Sequence, residues 1–114
     1  MNNEVLKLIT VVGEKRNADG YLIGDKTEET EVFCSVKSVG RTEFYDALRA
    51  GRKATVIFVI NPDDYEMSKR TITVNGVEKK VRATKTEYEG EEYSIMRSYT
   101  VNLSRMELTC EVVE

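Results

Sequence analysis

The chain has 114 residues, 20 Asp and Glu against 17 Lys and Arg, a formal net charge of −3, and no histidine. That length predicts one domain over residues 1–114, with a core that folds without metal or disulfide staples. The missing histidine removes the commonest general base and metal ligand. The acidic balance argues against sequence-independent nucleic-acid binding, which depends on neutralising phosphates.

No run approaches the roughly 18 apolar residues of a membrane span. The start, MNNEVLKLITVV, carries an early acidic residue and no basic segment of the signal-peptide kind. A soluble, cytoplasmic chain with no membrane partner is therefore expected. Cys34 and Cys110 share the apolar parities of Val32/Val36 and Leu108/Val112, so each reads as a small buried hydrophobe. A disulfide between them would need an oxidising compartment.

In chain order, residues 5–12 (VLKLITVV) predict an opening strand. Residues 13–24 (GEKRNADGYLIG) are turn-rich, with Asp19-Gly20 tolerant of positive φ. An acidic segment over 25–31 then leads into a strand at 32–37, where Val32, Cys34 and Val36 share one face. A helix is predicted over 41–50: Glu43 and Asp46 lie early, Arg49 late, and Gly51 stands at a C′ position. Its apolar stripe of Phe44, Ala47 and Leu48, with Tyr45 beside it, suits docking on a sheet, and a bare interaction helix is the other reading.

Residues 54–60 (ATVIFVI) are apolar on both parities, as in a strand buried on both faces. Asn61-Pro62 ends it, because proline lacks the donor a ladder needs. Residues 63–70 read as polar and irregular. Asn75-Gly76, between the β-type runs 71–74 and 77–81, predicts a two-residue type I′ hairpin. Alternation in its arms is weak, so a solvent-rich hairpin projecting over 62–82 is expected. Glu89-Gly90 joins a strand at 84–88 to another at 92–97, and a well-alternating strand at 105–113 closes the chain. The fold class is mainly β: a small barrel or sandwich of about seven strands, one short α-helix and a projecting hairpin.

Little of this carries catalytic chemistry. The acidic groups Glu28-Glu29-Thr30-Glu31 and Glu89-Gly90-Glu91-Glu92 read as solvated turns and edges, or as a rim that repels DNA phosphate. They lack the spacing of a calcium loop. No phosphate-binding glycine loop is present, and no serine has a histidine to activate it. Lys79, Lys80, Arg82 and Lys85 lack the interleaved aromatics of a single-strand binder, and read as charges that keep an exposed strand from mispairing. No catalytic residue, metal ligand or cofactor site is expected.

The order of elements is more distinctive. Asp19-Gly20-Tyr21 is followed by the strand at 32–36. Next come the helix start Ser38-Val39-Gly40-Arg41-Thr42-Glu43-Phe44-Tyr45, the strand at 53–60, then Tyr88-Glu89-Gly90-Glu91-Glu92-Tyr93-Ser94-Ile95 and the closing run 106–112. Over nearly its whole length the chain resembles the head-closure (head–tail joining, or stopper) proteins of tailed bacteriophages. It departs from them in lacking a tryptophan before the second strand, where Phe33 stands instead, and in a longer 61–83 segment.

The resemblance implies a structural role without a reaction, in the virion and, before assembly, in the host cytoplasm. The chain would form a ring, dodecameric by resemblance, on the phage portal–adaptor complex once DNA packaging is complete. It would hold packaged DNA without sequence specificity and receive the tail proteins. The channel-closing loop would then be the excursion that carries Tyr65, Met67, Lys69, Arg70, Ile72, Val74, Asn75, Gly76, Val77, Lys79 and Lys80. A docking arm or an enlarged structural hairpin are the competing readings. Arg41, Phe44, Tyr45 and Leu48 belong to the structural helix. A tail-completion (tail-terminator) ring protein or a small β-barrel binding module remain alternatives. If the helical stripe packs on the sheet, Phe44→Ala and Leu48→Ala each lower stability by ~2–4 kcal/mol in denaturant titrations; unchanged stability with lost assembly marks a partner-facing helix.

Overall fold

A computed structural model describes residues 4–38 and 55–113. The helix expected over 41–50, with Arg41, Phe44, Tyr45 and Leu48, lies outside the described residues. The described elements are β1 (Glu4–Arg16), β2 (Leu22–Ser38), β3 (Thr55–Ile60), α1 (Pro62–Met67), β4 (Arg70–Val74), β5 (Val77–Val81), β6 (Lys85–Tyr88), β7 (Glu91–Asn102) and β8 (Arg105–Val112).

The protein is mainly β, as its alternation predicts. Antiparallel ladders run β1-β2-β3-β8-β7-β6, and β6 returns to β1 through Lys7↔Glu87, Leu8↔Thr86 and Ile9↔Lys85. The smallest principal extent is 20 Å, so this six-stranded ring is flattened and its walls pack like a sandwich. β4 and β5 form a separate two-stranded sheet.

Inward-facing residues of all the ring strands build one core. Leu6 and Leu8 of β1, Val32 and Cys34 of β2, Val56, Phe58 and Ile60 of β3, and Met106, Leu108 and Cys110 of β8 are buried together. Phe58 is central: its ring lies 5.3 Å from that of Tyr88 and 5.4 Å, edge-on, from that of Tyr93. In β3, Val59 is buried as well as its even-numbered neighbours, in keeping with an apolar run on both parities.

Two turns have the backbone their residues predict. Asn75 (φ 52°) and Gly76 (φ 80°) join β4 to β5, and Glu89 (φ 50°) and Gly90 (φ 81°) join β6 to β7, each with the double positive φ of a type I′ hairpin.

Three sequence-based expectations need correction. The acidic run 25–31 is not a lead-in but part of β2, which pairs with β1 from Glu4↔Cys34 to Arg16↔Leu22. The turn-rich reading of 13–24 shrinks to a tight turn at its centre, where Asn17 Oδ1 accepts from the backbone N–H groups of Asp19 and Tyr21. Beyond the barrel rim a two-stranded ribbon has no core to face, so its polar residues carry no strand alternation to read. The third correction is α1, within a stretch read as irregular. Asn61 Oδ1 caps it by accepting from Asp63 N–H, Pro62 sits in its first turn, and Asp63 and Asp64 oppose the positive helix end. Among the described residues there are eight strands, in line with the expected number of about seven.

Cys34 and Cys110 are both free and buried. Burial pushes the Cys34 thiol up to about 11, with Glu4 adding repulsion, and the Cys110 thiol up to about 12 despite a hydrogen bond from Thr86. Unfolding returns each towards 9.0, so the unfolded chain loses these protons first as pH rises. Burial raises Tyr65, Tyr88 and Tyr93 in the same direction. The melting temperature is therefore expected to be insensitive to thiol ionisation below about pH 9 and to fall from there towards pH 12. Cys34→Ala/Cys110→Ala flattens part of that fall; an unchanged slope in the double variant contradicts the assignment.

Candidate functional site

Strand direction decides where the connections emerge. Every neighbour in the closed ring is antiparallel, so β1, β3 and β7 run one way and β2, β8 and β6 the other. The β1–β2 turn, the whole β3–β6 excursion and the β7–β8 turn therefore leave from one rim. The start of β1, the end of β8, the β6–β7 turn and the ends of β2 and β3 that flank 39–54 lie at the other.

Three hairpins thus share a rim. Beyond its short pairing with β6, β1 continues with β2 as a long ribbon, and β7 outruns its pairing with β6, which stops at Ser94. The tips are apolar and wet: Leu103 is 96% exposed and Tyr21 70%, with Leu22, Ile23, Val74, Val77 and Val101 also exposed. Asn102 and Ser104 make the β7–β8 turn, whose Asx hydrogen bond leaves Leu103 at its apex. Apolar side chains gathered in one exposed region are the kind of surface that marks interaction sites.

The excursion has a fixed root and a free end. Tyr65 is 4% exposed, and its hydroxyl donates to Ala83 O at 3.2 Å. Buried Thr10 of β1 donates to Ser68 O at 2.7 Å, and Ser68 donates to Tyr65 O at 2.6 Å. Arg70 is the clamp: its guanidinium donates to Glu28 Oε1 at 2.8 Å, Met67 O at 2.7 Å, Lys69 O at 2.9 Å and Thr30 Oγ1 at 3.3 Å. Glu28 and Thr30 sit on the same side of β2 as Val32 and Cys34. The β4–β5 sheet is therefore laid over the inner face of the β1–β2 ribbon.

These positions divide the excursion residues of the sequence reading. Tyr65 is a buried root and cannot line a channel, and Arg70 is committed to the clamp. Ile72 is half-buried towards β1, while Met67, Lys69, Val74, Asn75, Gly76, Val77, Lys79 and Lys80 are exposed. Tyr99 is exposed on β7. Sequence reasoning missed Thr10, Ser68 and Leu103. The Asn-x-Ser turn signal around Leu103 was readable; Thr10 and Ser68 act through a pairing 58 residues apart that no local pattern encodes.

The described residues also divide by charge. On the ribbon's outer face lie Glu14, Asp25, Glu29 and Glu31, with Lys7 reaching Glu29 at 3.8 Å and Arg16 reaching Glu14 at 2.6 Å. At the foot of the β4–β5 sheet, Lys69, Lys80, Val81 and Arg82 line a hollow of about 230 Å³. Among the described residues no three His, Cys, Asp or Glu side chains converge as a metal site.

Fold and surface together define a class: a small, flattened β-barrel domain with three hairpin arms on one rim. No family model matches the chain, and no curated protein matches it. Among solved structures, the solution structure of protein SF1141 from Shigella flexneri 2a is similar in fold, with a TM-score of 0.52 at 16% identity. That likeness covers 96% of this chain and 91% of the other.

Removing the clamp should free the arm and leave the barrel. Arg70→Ala is expected to cost about 1–2 kcal/mol and to speed amide exchange across β4 and β5, with β3 and β8 protected as before. Equal loss of protection in β3 would show the arm to be part of the core.

Proposed function

We propose that this chain is a structural protein of a tailed bacteriophage or prophage that completes the head at the portal vertex, forming a ring that closes the DNA channel and receives the tail. The observation that carries the reading is the one-sided layout: three hairpins with exposed apolar tips leave one rim, and the strand ends flanking 39–54 lie at the other. A ring subunit needs such polarity, with one end seated on the complex below and the other free for loops and the next component. The exposed part of the β4–β5 arm, around Asn75-Gly76, is the segment assigned to gating or docking. Its root at Tyr65 and Ser68 holds it in place, and its tip has little to unpack when it moves.

A tail-completion ring would use the same polarity at the other end of the joint, so binding preference separates the two. The test is mass determination and electron microscopy of the chain with the portal–adaptor complex of its own phage, and separately with tail tubes. An added ring on the portal complex is the expected result; capping of tail tubes alone assigns tail completion, and binding to neither removes both. A second variant isolates the arm. Excising residues 72–79 and joining Thr71 to Lys80 through Asn-Gly keeps the paired root and leaves Lys80 in place. It is expected to preserve folding and ring binding while DNA leaks from filled heads or tails fail to join.

A further inference from the structure

The paired arms carry a carboxylate-rich outer face on one side and a cation cluster at the foot of the other, and this points to how one copy meets the next. Along β2, even-numbered Glu28 and Thr30 face inward to Arg70, so Asp25, Glu29 and Glu31 face out. Glu14 of β1 stands opposite Asp25 on that outer side, but Arg16 holds it in an ion pair at 2.6 Å, so Asp25, Glu29 and Glu31 carry the face. In the β4–β5 sheet, Arg70, Ile72 and Val81 are half-buried towards the ribbon, which turns Thr71 and Lys80 away from it. Lys80 and Arg82, two apart on one chain, meet Lys69 around the 230 Å³ hollow.

That cluster is unfavourable as it stands. Extending the Arg70↔Val81 register by one step sets Lys69 opposite Arg82, a like-charge cross-strand position that destabilises a hairpin. Lys69 is relieved by Glu66 at 2.7 Å, but among the described residues Lys80 and Arg82 have no ion-pair partner. An acidic chain that gathers cations in a hollow has a site awaiting an anionic surface.

We propose that the occupant is a second copy of this chain: the outer acidic face of its β1–β2 ribbon, through Asp25, Glu29 and Glu31, docks on the Lys69–Lys80–Arg82 face of its neighbour. The inference rests on the ring reading above and names the contact that builds the ring. Charge complementarity selects this pairing. Acidic face on acidic face and basic on basic both repel, so a two-fold dimer through either arm face is disfavoured. A head-to-tail contact uses each face once and repeats around a ring. The exposed Phe33 and Val5, paired on the same outer side of the ribbon, supply apolar area beside the carboxylates.

The experiment is sedimentation velocity of the full chain over a concentration series at low and high salt, with charge reversals. Wild type is expected to assemble beyond a dimer, more weakly as salt rises. Lys80→Glu/Arg82→Glu and Asp25→Lys/Glu31→Lys should each raise the concentration for half-assembly by about tenfold or more, with unchanged melting temperature. Mixing the two reversed chains, or combining all four changes, should restore assembly. Reversals that assemble like wild type overturn the contact and leave the ring reading in place. A wild-type chain that stays monomeric throughout also overturns it, and portal binding then judges the ring reading separately. If wild type retards short duplex DNA and Lys80→Glu/Arg82→Glu releases it with assembly unaltered, the cluster belongs to phosphate and the contact is wrong.

Discussion

The short ladder between β1 and β6 is the constraint on which the rest depends. Its residue pairs, Lys7↔Glu87, Leu8↔Thr86 and Ile9↔Lys85, turn an open sheet into a closed ring. Closure removes two edges that would otherwise invite mispairing, and it fixes the sense of every strand relative to every other. From that sense follows the segregation of connections, with three of the four described hairpins on one rim and the β6–β7 turn on the other. Leu8 and Thr86 are both fully buried at the seam, so the ladder is also where the core draws the two ends of the ring together.

Short seams have long consequences here because β1 and β2 are far longer than the barrel they enclose. The ring uses only part of each, and the surplus becomes the ribbon. A free ribbon is marginal in water, and this one is covered on its inner face by the β4–β5 sheet, held through Arg70 and Thr10. Covering one face leaves two outer faces: carboxylates predominate on one, partly offset by Lys7 and Arg16, and Lys69, Lys80 and Arg82 gather at the foot of the other, with Glu78 further along it. The near-balanced total charge of the sequence conceals this separation, which exists only once the arms are stacked.

Sequence reading found most of the ring strands for a simple reason. β3 and β8 face the core directly, and their residue order carries the burial: Thr55–Ile60 is apolar on both parities, and Met106, Leu108 and Cys110 alternate with Glu107, Thr109 and Glu111. Asn75-Gly76 and Glu89-Gly90 were legible because a type I′ turn demands positive φ twice. The ribbon was under-read, since Gly24 to Glu31 has neither an apolar face nor a break that marks strand from loop. α1 was passed over although Asn61, Pro62, Asp63 and Asp64 spell a helix start, because its six residues offer too little length for an apolar stripe to register.

Taken alone, the order of residues determines a mainly β domain, two tight hairpins, two buried thiols and an exposed Asn-Gly arm, because each of these is a local matter of periodicity, backbone preference or polarity. Only the tertiary structure decides that Tyr65 is a root instead of a tip, that Arg70 clamps the arm to Glu28, and that Asp25, Glu29 and Glu31 stand on the face opposite Lys80 and Arg82. Those facts depend on which strands lie side by side and which way they run, and that is set by closure of the β1–β6 seam between segments some eighty residues apart.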